Sequence, residues 1–430
     1  MTNIPFLGYR LAIATSISCM LVPSLNYAES ANTSALTAEV AVPHIDPITE
    51  EAGLSLSQLV TLTMEKFPDM TWLNAMEAEA EALRQRGESL VAGASQAGLR
   101  FQEATSGTLH YIDATVQVPL WNLGQRAAEQ ATGAKASISV QKQQEATQLR
   151  VAGLIRGALW DMALQNLRYQ QAQEELQVNQ KLFDKVKRRV ELGDLPRADQ
   201  ILAETELLQK KSLLIQAEAE LMHARKRYTT ITQSPKVPSQ YQESLSTLRE
   251  VPDSHPFLLA LNSQIDRKRA EIHALQMSGS GQTNVVVGIN SDSFTNDPRS
   301  NKTESFNIGV NVPFGGDSHS NVSVAAVNVE MNKLIAEREQ FYRDLQQQHH
   351  EAEHNLEVNK AELANAEKLR ALAEQHLSMT EQSFAAGEID LIDLLKIQSR
   401  AQLAILNAKE RAVMLLRDQA LYNQAVGVMP

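Results

Sequence analysis

Cysteine is almost absent from the 430 residues of this chain, and the one that occurs, Cys19, lies in the apolar segment 11–22. Because this segment follows a basic residue and precedes the small residue Ala28, residues 1–28 are predicted to be a cleaved signal peptide. A lipoprotein signal would place leucine three residues before the cysteine, where Ser16 stands. Cleavage at Ala28 would leave no cysteine in the mature chain, which suits an oxidising compartment and excludes disulfides and thiolate-bound metals.

Aromatic residues, glycine and proline are also scarce: aromatics make up 5% of the chain, with 19 Gly and 14 Pro. This composition favours long helices over compact sheets. The formal net charge is −11, which argues against nucleic acid as a partner because phosphate binding needs concentrated Lys and Arg. The mature chain has no apolar run long enough to predict a transmembrane helix.

Catalytic signatures are missing as well, since the sequence contains no GxSxG and no phosphate-binding loop. No enzymatic activity and no cofactor are therefore predicted. The segment "HHEAEH" (349–354) places His350 and His354 one helical turn apart, a spacing that can bind a divalent metal. The alternative, a solvated helix face rich in Gln and Glu, is the favoured interpretation, so these histidines are weak metal candidates only.

A faint internal repeat organises the rest of the chain. The strand-like segments "VQVPLW" from Val116 and "VNVPFG" from Val310 are separated by 194 residues, and so are Gly193 and Gly387. Two halves are predicted, each with the order helix, two strands, very long helix, turn and helix. The predicted parts after the signal peptide are an extension (29–51), the first repeat (52–240), a linker (241–252) and the second repeat (253–430).

The predicted strands alternate between apolar and polar residues. From Asn307 to Phe314, every second residue is apolar and the others are small or polar, and 114–120 follows the same pattern. Strands of this length and pattern occur in transmembrane β-barrels, and also in half-buried hairpins that pack on helices. Four strands cannot close a barrel, so a membrane location would require several chains to share one. The predicted strands are 98–104, 110–120, 283–291 and 306–314.

The predicted helices are longer than a globular domain needs. The intervals 124–193 and 318–387 contain no proline, and each would reach on the order of 100 Å if helical. Heptad seams in the two return helices predict coiled-coil packing, and a soluble coiled-coil bundle is an alternative that leaves the strands unexplained. The seams are Leu207, Leu214, Leu221 and Tyr228, and Leu394, Ala401, Ala408, Leu415 and Tyr422.

Over residues 52–428, this layout resembles the TolC-like outer-membrane efflux proteins. The resemblance rests on "VPLWNLGQR" (118–126), "VPFGG" (312–316) and "AAGEIDLIDLLKIQ" (385–398), in that order and spacing. The short length and the segment "FPDMTWLNAMEAEAEALRQRG" (67–87) are similar to the CzcC-like branch, which serves metal-cation efflux pumps.

The resemblance implies a mainly α fold with a β-barrel portion. Each protomer would supply a long antiparallel α-helical coiled coil and four transmembrane β-strands, and a homotrimer would form a twelve-stranded barrel in outer-membrane lipid. The family acts as the passive exit duct of tripartite efflux or type I secretion systems. Its partners are a periplasmic adaptor and an inner-membrane pump, and most of the chain would lie in the periplasm.

The resemblance also implies roles for the two turns. The aspartate six residues after the second tip glycine helps to close the tunnel in the family, and Asp393 is its match. A further family carboxylate is replaced by Lys396, which could pair with Asp393. Gate candidates are thus Asp393, Asp390 and Lys396. Asp393, like Asp199 after the first turn, could instead only cap or neutralise a helix N-terminus. The predicted tip and adaptor-docking residues are Gly193, Asp194, Leu195, Asp199, Gly387, Glu388 and Ile389.

Two other classes of protein compete with the channel. A periplasmic coiled-coil adaptor or scaffolding protein would have long helices, but adaptors carry a lipoyl-like β-domain, and here each half has only one strand pair. A periplasmic metal-binding protein centred on "HHEAEH" is the second alternative.

Overall fold

The computed structural model describes residues 47–106, 109–293, 302–315, 318 and 320–430, so the predicted signal peptide and Cys19 lie outside it. Most of the described chain is helical, and among these residues no helix contains a stretch long and apolar enough to cross a bilayer. The helices are α1 (Leu56–Lys66), α2 (Asp69–Glu88), α3 (Gln125–Glu191), α4 (Arg197–Thr232), α5 (Pro256–Ser278), α6 (Asn321–Ala386) and α7 (Leu391–Ala425). The strands are β1 (Thr49–Glu51), β2 (Gln96–Glu103), β3 (His110–Leu120), β4 (Lys236–Pro238), β5 (Thr283–Ser293) and β6 (Thr303–Asn311).

The two longest elements of the fold are the helices α3 and α6. With 67 and 66 residues, α3 and α6 each extend about 100 Å at 1.5 Å per residue. The N-terminal part of α3 packs against α2 and α5, and its C-terminal part packs against α4 and α7. In the same way, α6 packs first on α5 and then on α7. The heptad seams predicted for α4 and α7 lie in these contacts, where most of their members are buried.

The main sheet has four antiparallel strands in the order β2-β3-β5-β6, so each half of the chain contributes one hairpin. Three strands agree with prediction within two residues at each end, but β6 occupies Thr303–Asn311 instead of 306–314. The strand ends early because Pro313 has no N–H group to donate to the ladder. At its other end, β6 begins early because β5 extends to Ser293 and keeps pairing with it.

A second sheet has two short parallel strands near the middle of the molecule, where β1 pairs with β4. The sequence predicted neither strand, and β1 falls in the segment predicted as an extension. Beside this pair, α1 packs onto α3 and α4 around a buried cluster that includes Leu59, Val60, Ile155 and Tyr228. This cluster fixes the middle of the long helical layer, away from both the main sheet and the turns.

Candidate functional site

One face of the main sheet is apolar and exposed. Cross-strand pairing brings Leu99, Ala114, Ile289 and Phe306 into one row across all four strands. A second row continues the surface, and its β6 residue, Ile308, is 69% exposed. A sheet face of exposed large apolar side chains is unusual against water and marks a contact with lipid or protein. The second row is Ala97, Val116, Val287 and Ile308.

The opposite face of the sheet is polar. Arg100, Asp113, Asn290 and Ser305 form one row by strand register, and the neighbouring row ends at Asn307. The Asn307 amide donates to Asp113 Oδ1 at 3.4 Å and to Asn290 Oδ1 at 3.5 Å. Asp113 itself is buried, with 92% of its surface shielded from solvent. The alternation predicted from the sequence thus produces two chemically distinct faces.

The two helical reversals share one geometry. Gly193 and Gly387 have φ of +85° and +79°, a left-handed conformation that glycine adopts without a steric penalty. In each reversal the glycine N–H donates three residues back, and the next residue donates five residues back, to Arg189 O or Ser383 O. This pair of bonds is the Schellman motif, which satisfies the last carbonyls of a helix.

A single hydrophobic cluster joins the two reversals, and we call this end of the molecule the turn end. Val186 and Ala203 from the first hairpin pack with Phe384, Leu391 and Leu394 from the second. Residues predicted for docking take part, because Leu195 and Ile389 pack against this cluster. The two hairpins therefore end at the same level and are held side by side.

The second reversal places the candidate gate residues in contact with each other. Asp390 is the N-cap of α7, and its Oδ1 accepts a hydrogen bond from Asp393 N at 2.8 Å. The Asp393 carboxylate lies 3.2 Å from Lys396 Nζ, and both side chains are about 60% exposed. An ion pair this exposed contributes about 0–1 kcal/mol, so its importance is the local charge balance and not stability. In one chain the negative charge of Asp393 is thus offset by Lys396.

The first reversal differs in its cap. Pro196 is the N-cap of α4 and has an extended backbone conformation. Its backbone carbonyl accepts from Asp199 N at 3.0 Å, and no side chain among the described residues caps this helix. Asp194 and Glu388 are both exposed directly after their glycines, so each hairpin presents a carboxylate at the turn end.

The two candidate metal-binding histidines lie on the surface of α6. The rings of His350 and His354 stack with 6.4 Å between centroids, and both residues are exposed. Within the described ranges, no group of three or more His, Cys, Asp or Glu residues is placed to hold a metal ion.

A buried ion pair near the middle of the molecule was not predicted from the sequence. Arg156 of α3 is fully buried, and its Nε donates to Glu243 Oε1 at 2.8 Å while Nη2 lies 2.5 Å from Oε2. Arg156 also donates to Gln424 Oε1 at 2.6 Å and to the Val428 carbonyl oxygen at 3.0 Å. One side chain thus ties the long helix to the connection between the halves and to the chain's C-terminal segment. Only an arginine in a run of apolar helix residues could have suggested it.

A buried histidine lies beside this region. His255 is fully buried at the start of α5, where Nδ1 accepts from Phe257 N at 3.3 Å. Its Nε2 has no hydrogen-bond partner among the described residues. Burial disfavours the charged imidazolium and lowers the pKa of His255 to about 4. The ring also packs on Gly427, where an added Cβ would lie 2.6 Å from its Cδ2.

Comparison with solved structures identifies the fold. The chain is similar to the outer membrane protein VceC of Vibrio cholerae, with a TM-score of 0.70 and 12% identity over 87% of this chain and 96% of VceC. It is similar to the CmeC outer membrane channel of Campylobacter jejuni, with a TM-score of 0.66 and 12% identity over 95% of each chain. For the MtrE outer membrane channel of Neisseria gonorrhoeae the values are 0.65 and 14%, over 87% of this chain and 89% of MtrE.

No protein-family model and no curated protein matches the sequence. At 12% to 14% identity, the likeness to solved structures establishes the fold and nothing finer. The predicted resemblance is confirmed at that level: the chain has the fold of TolC-like outer-membrane efflux channels. The periplasmic adaptor and the metal-binding protein are not favoured by any of these neighbours.

Proposed function

We propose that this protein is the outer-membrane channel of a tripartite efflux or type I secretion system. Three copies form a duct, and substrates cross it by passive diffusion from a periplasm-spanning pump to the exterior. The observation that carries this proposal is the two-faced sheet, because its exposed apolar face suits lipid and its polar face suits a water-filled lumen. Three of the four strands, with 9 to 11 residues, also have the length of a tilted membrane-spanning strand, and β2, with 8 residues, is one residue shorter.

The open edges of the sheet require additional copies of the chain. Within the described part of the chain, β2 and β6 each have one unpaired edge, which hydrocarbon does not tolerate. Two copies would supply eight strands, and an eight-stranded barrel is filled by its own side chains. Three copies supply twelve strands and leave a lumen, which agrees with the trimer that the resemblance implies.

The helices then continue the duct into the periplasm. α3 and α6 run about 100 Å from the sheet to the turn end, so three copies would place six helical hairpins around one axis. From α2 to α4 and from α5 to α7 the elements follow the same order, helix, two strands, long helix and helix, whereas α1, β1 and β4 occur only in the first half. The shared order supports six similar hairpins.

The turn end is where the adaptor and the pump would dock. Gly193, Asp194 and Leu195 in one hairpin, with Gly387 and Glu388 in the other, present similar backbone geometry at one level. An adaptor with repeated contacts could therefore engage both hairpins. Asp199 and Ile389 complete the proposed docking set.

Asp393, with Lys396 and Asp390, is the proposed constriction. Around a three-fold axis, three Asp393–Lys396 pairs would form a ring with alternating charge and little net charge. Such a ring tolerates closure better than a ring of carboxylates alone, because like charges repel. Metal cations as the cargo are a hypothesis that rests on the CzcC-like segment 67–87.

Fractionation and conductance test the proposed function. The mature protein is expected in the outer-membrane fraction, extractable only with detergent, as a species three times the mass of one chain. In planar bilayers it should give discrete single-channel currents. Recovery of folded protein from the soluble periplasm without detergent would contradict the channel and favour an adaptor or scaffold.

A further inference from the structure

The outermost helices of the molecule come from different halves of the chain. Toward the turn end, α4 packs on α3, α3 on α7 and α7 on α6, which leaves α4 and α6 on opposite flanks. The main sheet repeats this arrangement, with β2 on one flank and β6 on the other. One flank is thus built from the first half and the other flank from the second.

α4 carries two apolar seams, and only one of them is covered. Leu207, Leu221 and Tyr228 are buried in the molecule, whereas a second seam lies one residue further along the helix and faces outward. Its first three members repeat every seven residues and are 59% to 65% exposed. The open seam of α4 is Ile201, Leu208, Ile215 and Met222.

α6 has the same arrangement on the opposite flank. Its inner seam, with Ala352, Ala366 and Thr380, is buried. A second seam of α6 lies one residue before each position of the inner seam and is exposed. Leu372 in this seam is 65% exposed, and Met379 is 58% exposed. The open seam of α6 is Val358, Asn365, Leu372 and Met379.

The two open seams have the same distances from their turns. Ile201 is eight residues after Gly193, and Met379 is eight residues before Gly387; for Leu208 and Leu372 the number is fifteen. The remaining pairs, at 22 and 29 residues, are Ile215 with Asn365 and Met222 with Val358. Because both turns belong to one cluster at the same end, equal counts mean nearly equal heights along the bundle.

We propose that α4 of one copy packs antiparallel against α6 of the next copy, with Ile201 opposite Met379 and Leu208 opposite Leu372. This pairing rests on the trimeric channel proposed above and assigns its helical interface. We assign a second copy of the chain as the partner of each open seam. Rotation about an axis parallel to the helices preserves height, so seam residues at equal heights in neighbouring copies face each other. Each copy then offers one flank to each neighbour, and the ring closes.

Asn365 gives this interface its register. It is the only polar residue among the eight seam positions, and it lies opposite Ile215. A single polar residue in an apolar heptad seam reduces stability and disfavours shifted alignments. A shift by one heptad would bring Asn365 against Leu208 or Met222 and expose an apolar residue at one end.

Disulfide trapping tests the register directly. In a chain whose single natural cysteine is removed as Cys19→Ser, the pair Leu208→Cys and Leu372→Cys is expected to form covalent dimers and trimers under mild oxidation. The matched control, Leu208→Cys with Met379→Cys, differs in height by about 10 Å, beyond the Cα separation that a disulfide spans. The control should therefore remain monomeric on a non-reducing gel.

A charge exchange provides a second measurement that does not depend on oxidation. Leu208→Lys and Leu372→Glu should each reduce the heat resistance of the detergent-solubilised trimer, and the double variant should restore it. If the single variants leave the trimer unchanged, these seams face something other than a second copy, such as the adaptor, and the interface is wrong.

The native mass of the cysteine-free protein distinguishes failure of the trimeric channel from failure of the α4–α6 interface alone. A monomer in detergent would overturn both the trimeric channel and this interface. A trimer in which the control pair crosslinks as well as Leu208→Cys with Leu372→Cys, or in which neither pair does, would overturn the interface and leave the channel standing.

Discussion

The guanidinium of Arg189, in the last turn of α3, lies over the ring of Phe384 in the last turn of α6, with 5.3 Å between Cζ and the ring centroid. Arg189 Nη1 also donates to the Phe384 carbonyl oxygen at 3.3 Å. That same carbonyl accepts the N–H of Gly387, which closes the second reversal. One side chain of the first hairpin therefore stabilises the turn of the second.

Arg189→Ala should loosen the second reversal without unfolding the bundle. The cation–π contact and one hydrogen bond together contribute about 1–2 kcal/mol, so amide exchange at 384–390 should accelerate while the rest of α6 is unchanged. Hydrogen–deuterium exchange of the detergent-solubilised protein measures this. Arg188→Ala, which removes an exposed neighbour, is the control, and equal effects of the two variants would contradict the role of Arg189.

Gly387→Ala should destabilise the turn end through the backbone alone. An added Cβ at Gly387 or Gly193 meets no atom of the described residues within 4 Å, so the cost is that of a left-handed conformation, about 1–2 kcal/mol. Gly157→Ala is the control because its added Cβ is also in open space but lies within α3, where alanine should stabilise by about 0.5–1 kcal/mol. Thermal unfolding should shift in opposite directions, and a shift in the same direction would refute the argument.

Asp393 and Lys396 should have opposite effects on ion selectivity. Asp393→Ala leaves unpaired Lys396 side chains at the proposed constriction and should favour anions, whereas Lys396→Ala leaves carboxylates and should favour cations. Each variant should also raise single-channel conductance, because three like charges oppose closure. Reversal potentials under a salt gradient measure the selectivity. The double variant should return close to wild type, and unchanged potentials in both single variants would exclude Asp393 from the constriction.

Glu243→Gln should destabilise the middle of the molecule strongly. The change leaves the buried Arg156 guanidinium without its carboxylate, and breaking a buried ion pair from one side costs about 3–5 kcal/mol. Glu174→Gln removes the exposed partner of Lys409 and should cost at most about 1 kcal/mol. Denaturant unfolding compares the two variants. Similar losses would mean that the Arg156 pair is not isolated from solvent.

The stability of the protein should fall in mild acid because of His255. Its folded-state pKa of about 4 lies below the unfolded value of 6.5, so the folded state binds fewer protons. The contribution of neutral His255 to the free energy of unfolding is complete above pH 6.5 and is lost as the pH falls toward 4. His255→Asn, which keeps a side-chain acceptor for the helix start, should flatten the melting temperature over this window. His350→Asn on the surface should not, and identical profiles for all three proteins would exclude His255.

The strands of the main sheet and the two helical reversals could be predicted from the sequence. Period-two alternation located four strands, and the glycines at 193 and 387 located both reversals, because backbone geometry there depends on adjacent residues. Bounds were less accurate where pairing decided them, as in β6. The short strands β1 and β4 were missed, since three residues carry no detectable period.

By itself, the sequence determined that the chain forms long helices and two-faced strands in a fixed order, because composition, heptads and alternation act along the chain. Only the tertiary structure decided which surfaces meet. It joined the two reversals through Phe384, buried Arg156 against Glu243 and brought the open seams of α4 and α6 to equal heights. Contacts between residues separated by 87 to 195 positions leave no periodic trace, because they depend on how whole elements pack.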